Sequence, residues 1–94
     1  MIFVTAGETD PVIAVSFNTA KMTQYNTVSI PIVVYDPAGP TTNVSLSEDG
    51  TVVSTWTNVD RTVHYWNYSP TNYGIKTLTI TCKSVSRSIS IDVE

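Results

Sequence analysis

The chain predicts an all-β domain of two packed sheets, on three observations. Apolar residues recur at period two in one run after another; turn signals separate those runs at roughly 8–12 residue spacing; and no stretch carries a useful helical period. Residues 74–93 show this most plainly. From Thr77 the order Thr-Leu-Thr-Ile-Thr-Cys puts Leu78, Ile80 and Cys82 on one face and the threonines on the other. After a short polar turn over residues 83–86, Ile89, Ile91 and Val93 again share one face. Two such runs predict an antiparallel hairpin with one dry face. An isolated hairpin is marginal in water, so a second layer must cover that face.

The remaining elements follow in chain order. Residues 2–5 form a short β-prone run, stopped by Ala6-Gly7 and Asp10-Pro11. Residues 12–19 alternate with Ile13, Val15 and Phe17 on one side, which predicts the first good strand. Residues 19–24 are the only place for a helical turn, and too short for a stable one. Residues 25–35 carry Val28, Ile30, Ile32 and Val34 at period two, a long core strand interrupted on its other face by Pro31. Proline cannot donate to a ladder, so Pro31 predicts an edge, a bulge or a change of partner. Asp36-Pro37-Ala38-Gly39-Pro40 is a rigid loop. Residues 43–47 place Val44 and Leu46 inward, and Asp49-Gly50 predicts a hairpin to residues 51–57. After a turn at residues 58–60, residues 62–68 read as a strand in which Val63 and Tyr65 compete with His64, Trp66 and Tyr68 for the dry face. A last turn, residues 69–74, leads into the hairpin described first. About seven strands so spaced, with no helix, describe a two-sheet β-sandwich.

Composition narrows what such a domain can do. Ninety-four residues make one domain, with room for a modest core without disulfides or metal. Charged residues are 14% of the chain and the net charge is −3. The basic residues Lys21, Arg61, Lys76, Lys83 and Arg87 are scattered, which excludes the clustered positive footprint of a nucleic-acid binder and disfavours an anionic membrane surface. The one cysteine has no internal partner and sits on a dry strand face, so Cys82 is expected as a buried thiol. No run approaches the roughly 18 apolar residues of a membrane helix. Met1 to Val4 lacks the basic and apolar regions of a signal peptide. The expectation is one domain, residues 1–94, excised from a longer multidomain protein.

Several stretches together carry a family resemblance. Tyr35-Asp36-Pro37, Val44-Ser45-Leu46, Asp49-Gly50, Trp66-Asn67-Tyr68 and Asn72-Tyr73-Gly74 leading into Leu78-Thr79-Ile80 resemble a bacterial or bacteriophage immunoglobulin-like domain. Such modules recur in phage tail, baseplate and other virion proteins and in bacterial surface proteins. The resemblance covers nearly the whole chain. It implies an immunoglobulin-like β-sandwich of about seven antiparallel strands and a role as spacer, adhesive or assembly module. The chain departs from the antibody type: Cys82 has no cysteine partner in residues 25–35, and Ile80 stands where a tyrosine corner would have its tyrosine. Packing of Ile13, Val15, Phe17, Val28, Ile30, Ile32, Val34, Leu46, Leu78, Ile80, Ile89 and Ile91 must hold the sheets together.

Chemistry-bearing residues are few. His64 is the only histidine, no serine lies in a nucleophile elbow, and a thiolate at Cys82 would be disfavoured on an apolar face. No catalytic residue, cofactor or metal is therefore expected. Asp36, Glu48, Asp49 and Asp60 lie in loops that could meet at one pole around calcium, although the alternating acidic signature is missing. Asn43-Val44-Ser45 and Asn67-Tyr68-Ser69 match the glycosylation sequon and are expected unmodified. Trp56, Tyr65, Trp66, Tyr68 and Tyr73 crowd into eighteen residues. Trp66 reads as a core tryptophan, while Trp56, Tyr68 and Tyr73 are the candidate ligand-binding residues, a flat patch on which a sugar ring would stack. The sequence thus points to a non-catalytic spacer or adhesion module of a virion or bacterial cell-surface protein. Its partners would be neighbouring domains or other surface proteins; the alternative is a carbohydrate-binding module for a cell-surface glycan.

Overall fold

A computed structural model describes residues 11–37, 42–57, 59 and 61–94, and within them the chain forms eight strands in two sheets. These are β1 Val12–Val15, β2 Thr19–Met22, β3 Val28–Tyr35, β4 Val44–Glu48, β5 Thr51–Trp56, β6 His64–Tyr68, β7 Gly74–Cys82 and β8 Val85–Val93. The smaller sheet has the order β1-β3-β6 and the larger β2-β8-β7-β4-β5. The expected all-β, two-layer sandwich is what the chain forms. The β-prone run at residues 2–5 lies outside the described residues.

The hairpin at the end of the chain is the backbone of the larger sheet. β7 and β8 pair from Gly74↔Val93 to Cys82↔Val85, leaving a turn of only Lys83 and Ser84, tighter than the sequence suggested. Lys83 makes that possible by adopting a positive φ of 56°. On the outer face, Thr79 and Thr81 hydrogen-bond Ser88 and Ser86 at 3.0 and 3.2 Å, so cross-strand hydroxyl pairs account for part of the Ser/Thr richness. At the other hairpin, Glu48 pairs with Thr51 across Asp49 and Gly50, whose φ values of 50° and 89° match the primed turn that Asp-Gly favours.

Pro31 marks a change of neighbour. β1 pairs with residues 32–35 of β3, whereas β6 pairs with residues 28–32. The missing N–H therefore falls just beyond the last β1 partner, where no β1 carbonyl needs it. Residues 19–24 depart from expectation. They hold no helical turn; Thr19–Met22 forms β2, which pairs with β8 in parallel from Thr19↔Ser90 to Met22↔Val93. The chain passes from one sheet to the other between β1 and β2, and Arg87 bridges that passage, donating to the Asn18 side chain at 2.7 Å and to the Ile13 carbonyl at 3.4 Å.

Between the sheets lie Ile13, Ile30, Ile32, Val34, Val44, Leu46, Leu78, Ile80, Cys82, Ile89, Ile91 and Val93, all buried. A fully buried Leu or Ile side chain contributes about 1.5–3 kcal/mol. Val59, Trp66 and Tyr68 join this core, while Val15, Phe17 and Val28 are only half-buried against it. No buried side-chain polar atom among the described residues lacks a hydrogen-bond partner. Register also fixes the poles. Val12 pairs with Tyr35 and Val28 with Tyr68, so Pro11 lies at the pole of the Lys83 turn. Glu94 lies at the opposite pole, next to Gly74 and the loop before it.

Candidate functional site

Each aromatic residue singled out in the sequence is positioned by its strand phase. β3 settles the ambiguity of β6: Val28↔Tyr68, Ile30↔Trp66 and Ile32↔His64 put the even-numbered residues inward and leave Tyr65 outside. Trp66 and Tyr68 are both 6% exposed and meet edge to face, with ring centroids 6.1 Å apart. The Tyr68 hydroxyl donates a short hydrogen bond to the Glu48 carboxylate. Burial first, then that bond and the Glu48 and Asp49 charges, push the phenol well above its ordinary value. Tyr68 is thus a core residue with a tethered hydroxyl, and offers no stacking face to a sugar.

Trp56 pairs with Val44 at the Lys83 pole and rests half-buried against His64, ring centroids 5.4 Å apart. Tyr73 is 69% exposed and precedes Gly74 at the Glu94 pole. Roughly the length of β7 separates them, about 26 Å at the usual rise per residue. The structure does not bring Trp56, Tyr68 and Tyr73 onto one face: one is half-buried at one pole, one is inside, one is exposed at the other pole. Trp56 instead lines an open hollow of about 350 Å³ between β5 and β6, with Val53, Ser54, Tyr65 and Asn67 around it.

The acidic loop residues are divided in the same way. Asp36 is buried at the Lys83 pole, where Lys83 approaches its carboxylate at 2.7 Å and the Thr42 hydroxyl donates to it at 3.2 Å. Asp49 accepts from the Thr77 N–H at 2.8 Å further along the strands, away from the Lys83 turn, and Glu48 holds Tyr68. Asp60 lies outside the described residues. The carboxylates that could have met around calcium are therefore engaged separately, and among the described residues no three metal-ligating side chains converge. Cys82 is fully buried on the dry face, as its alternation predicts.

The largest exposed apolar features surround Glu94. Tyr25 is 71%, Ile75 70% and Tyr73 69% exposed, above every other large hydrophobic residue described. Backbone contacts gather them. The Tyr25 N–H donates to the Pro70 carbonyl at 2.9 Å, the Gln24 N–H donates to the Glu94 carbonyl at 3.0 Å, and Ile75 pairs with Asp92. Tyr25 holds a φ of 70°, which a bulky side chain rarely adopts. Beside Ile75 the outer face opens into a mostly apolar hollow of about 250 Å³ lined by Ala20, Lys21, Ser90 and Asp92. Sequence reasoning missed Tyr25 and Ile75 here. The signal for Ile75 was present, since it is out of phase with Leu78 and Ile80 and in phase with the outward threonines.

No protein-family model and no curated protein matches the sequence. Among solved structures, domains 4 and 5 of the S-layer protein SbsC superpose with a TM-score of 0.68 at 19% identity, over 89% of this chain and 53% of that one. The chain thus spans about half the length of that structure. The fibronectin(III)-like modules of Clostridium thermocellum CbhA superpose at 0.58 and 15% identity, over 88% of this chain and 97% of theirs. The chain is an immunoglobulin- or fibronectin(III)-like β-sandwich, the fold of those modules.

Proposed function

We propose that the chain is a non-catalytic structural module, a rigid spacer that holds neighbouring modules in series within a bacterial surface or virion protein. The observation that carries this reading is a filled core between two sheets in which no described buried side-chain polar atom lacks a hydrogen-bond partner, so the sandwich holds one fixed shape between whatever it joins. The likeness to modules of an S-layer protein and of CbhA supports it and favours the bacterial cell surface over the virion. The residues with chemical potential are committed elsewhere: Cys82 is buried and His64 rests on Trp56. The competing function, a glycan stacked on exposed aromatics, keeps one foothold, because Trp56 and Tyr65 border the hollow between β5 and β6.

Tryptophan fluorescence separates the two. Acrylamide should quench Trp56 partially and leave Trp66 protected, as comparison with Trp56→Phe will show, and a panel of cell-wall and capsular glycans should leave both emissions unchanged. A glycan that shields Trp56 would overturn the spacer reading and make the protein a sugar-binding module.

A further inference from the structure

We infer that the free edge of β6, with the hollow beside it, takes an extended, uncharged peptide segment of a partner protein as a fourth strand of the smaller sheet. This goes beyond the spacer reading and does not depend on it. Three observations lead here. The first is the backbone. Among the described residues β6 pairs with β3 on one side and with no strand on the other. Pro31 has no N–H, so its pairing with Tyr65 is of the non-hydrogen-bonded kind, and the ladder bonds run through Ile30↔Trp66 and Ile32↔His64. Tyr65 and Asn67 therefore turn their backbone N–H and C=O groups outward, and neither spends them on a turn or loop. The two sets lie about 6.8 Å apart, the spacing of alternate residues in an extended chain. A strand added at the edge answers that repeat, and a sugar ring does not.

The second is that the other edges are guarded and this one is not. β1 is four residues long, and its Ile13 carbonyl accepts from Arg87. β2 is equally short and carries Lys21, and β5 bulges at Val53. Short length, charge and bulges are the means by which sheets avoid pairing edge to edge. β6, His-Tyr-Trp-Asn-Tyr, has no charged side chain, proline or bulge in its ladder. The third is the hollow of about 350 Å³ that separates β6 from β5, with Val53, Ser54, Trp56, Tyr65 and Asn67 at its border and no charged residue among the described ones lining it. Tyr65 is 60% exposed and Trp56 half-buried, so an apolar or aromatic side chain of the added strand finds ring surface there. Asn67, whose side-chain oxygen accepts from Ser29 at 2.7 Å, keeps its amide N–H groups for a ligand. A charged side chain would lose water in the hollow and meet no opposite charge, which sets the chemistry of the segment as uncharged.

The test adds short, end-blocked peptides of alternating threonine and valine, with tyrosine, lysine or aspartate at the centre, to the 94-residue chain. The tyrosine peptide should slow hydrogen exchange at the Tyr65 and Asn67 amides by about tenfold or more at saturation. The lysine and aspartate peptides should bind about tenfold more weakly. A tyrosine peptide methylated on the backbone nitrogens that face β6 should not bind at all. Tyr65→Pro removes an outward donor at an edge, where proline is tolerated, and should abolish binding; Tyr65→Thr keeps the donor and should only weaken it. Val53→Lys, at an exposed position beside the hollow, should make the aspartate peptide bind better than the lysine one, a reversal that a merely structural edge would not give. Amides of Tyr65 and Asn67 left unprotected by every peptide, or protected equally by the methylated one, would overturn the inference and leave the spacer reading intact. Protection that rises with the concentration of the chain alone would also overturn it, by assigning the edge to a second copy. A glycan that shields Trp56 without protecting these amides gives the hollow to a sugar and removes the spacer reading as well, so the two failures are distinct.

Discussion

Tyr68 shows how one hydroxyl turns a core residue into a pH-dependent tie between the sheets. Its ring lies in the core on β6, and its hydroxyl reaches Glu48 at the end of β4, so a single side chain links the two layers. Tyr68→Phe keeps the ring and removes the bond to a charged acceptor, a loss of about 2 kcal/mol near pH 7 in denaturant unfolding. The folded state raises the phenol's affinity for its proton, so the unfolded chain releases that proton first as pH rises. Stability from this group is fully present below about pH 10 and falls above it by up to about 1.4 kcal/mol per pH unit. The difference between wild type and Tyr68→Phe should therefore shrink between pH 10 and 11; a constant difference would show that the hydroxyl is not held as described. The residue was legible only in part. Thr-Val-His-Tyr-Trp-Asn-Tyr gives apolar character to both faces, and only pairing with the strictly alternating Val28, Ile30 and Ile32 decides which face is dry. That decision turned Tyr68 from a candidate sugar platform into core and left Tyr65 outside.

Among the elements, those whose signal is local were legible and those that depend on a distant partner were not. Asp49-Gly50 announced its hairpin because both positions need positive φ, and Gly50 holds 89°. A Cβ there would meet no atom within 4 Å, so the cost of Gly50→Ala is backbone strain alone. We expect it to be about 1 kcal/mol in thermal or denaturant unfolding, with Gly50→Asn costing less. Equal costs would mean that the turn is not in the primed conformation. The β7–β8 turn is as tight but carries Lys83 at the positive φ, so nothing in its composition marked its length. β2 was invisible for a different reason. Thr-Ala-Lys-Met alternates, with Ala20 and Met22 half-buried, but over only four residues and with little apolar bulk, and its partner β8 lies about seventy residues further on; four residues that form a strand because an edge is waiting for them leave too short a local trace to read. The bulge in β5 is similar, with Val53 the extra residue between the pairs Leu46↔Ser54 and Ser47↔Val52. It twists an otherwise uncharged edge strand, one of the devices that keep sheets from pairing edge to edge.

For the whole molecule, the sandwich could be read from alternation because two half-apolar sheets have few ways to hide their dry faces, whereas the exposed apolar residues near Glu94 could not, because their exposure depends on how three separated segments meet. The same topology dictates how the module would bear load in the proposed spacer role. β2 and β8 are parallel neighbours, joined by the Ser90 N–H to the Asn18 carbonyl and the Glu94 N–H to the Met22 carbonyl, both 2.9 Å. Pulling Pro11 toward one pole and Glu94 toward the other drags these strands past each other lengthwise. All the bonds of the patch must then yield together, whereas a hairpin opened from its end yields bond by bond. By the two-residue repeat of that ladder, Ala20 lies between Asn18 and Met22 and faces β8 with its N–H. Ala20→Pro removes that donor and should lower the force needed to unfold the module, when it is pulled between residues 11 and 94, by far more than Gly50→Ala does, even when the two variants are compared at equal loss of equilibrium stability. The Gly50 turn joins β4 and β5, which carry neither end of the chain, so weakening it leaves the sheared patch intact. Single-molecule extension of both variants decides the matter. If their unfolding forces fall in proportion to stability alone, the β2–β8 patch is not where the load is carried, and resistance to tension in this sandwich lies in the β1–β3 pair instead.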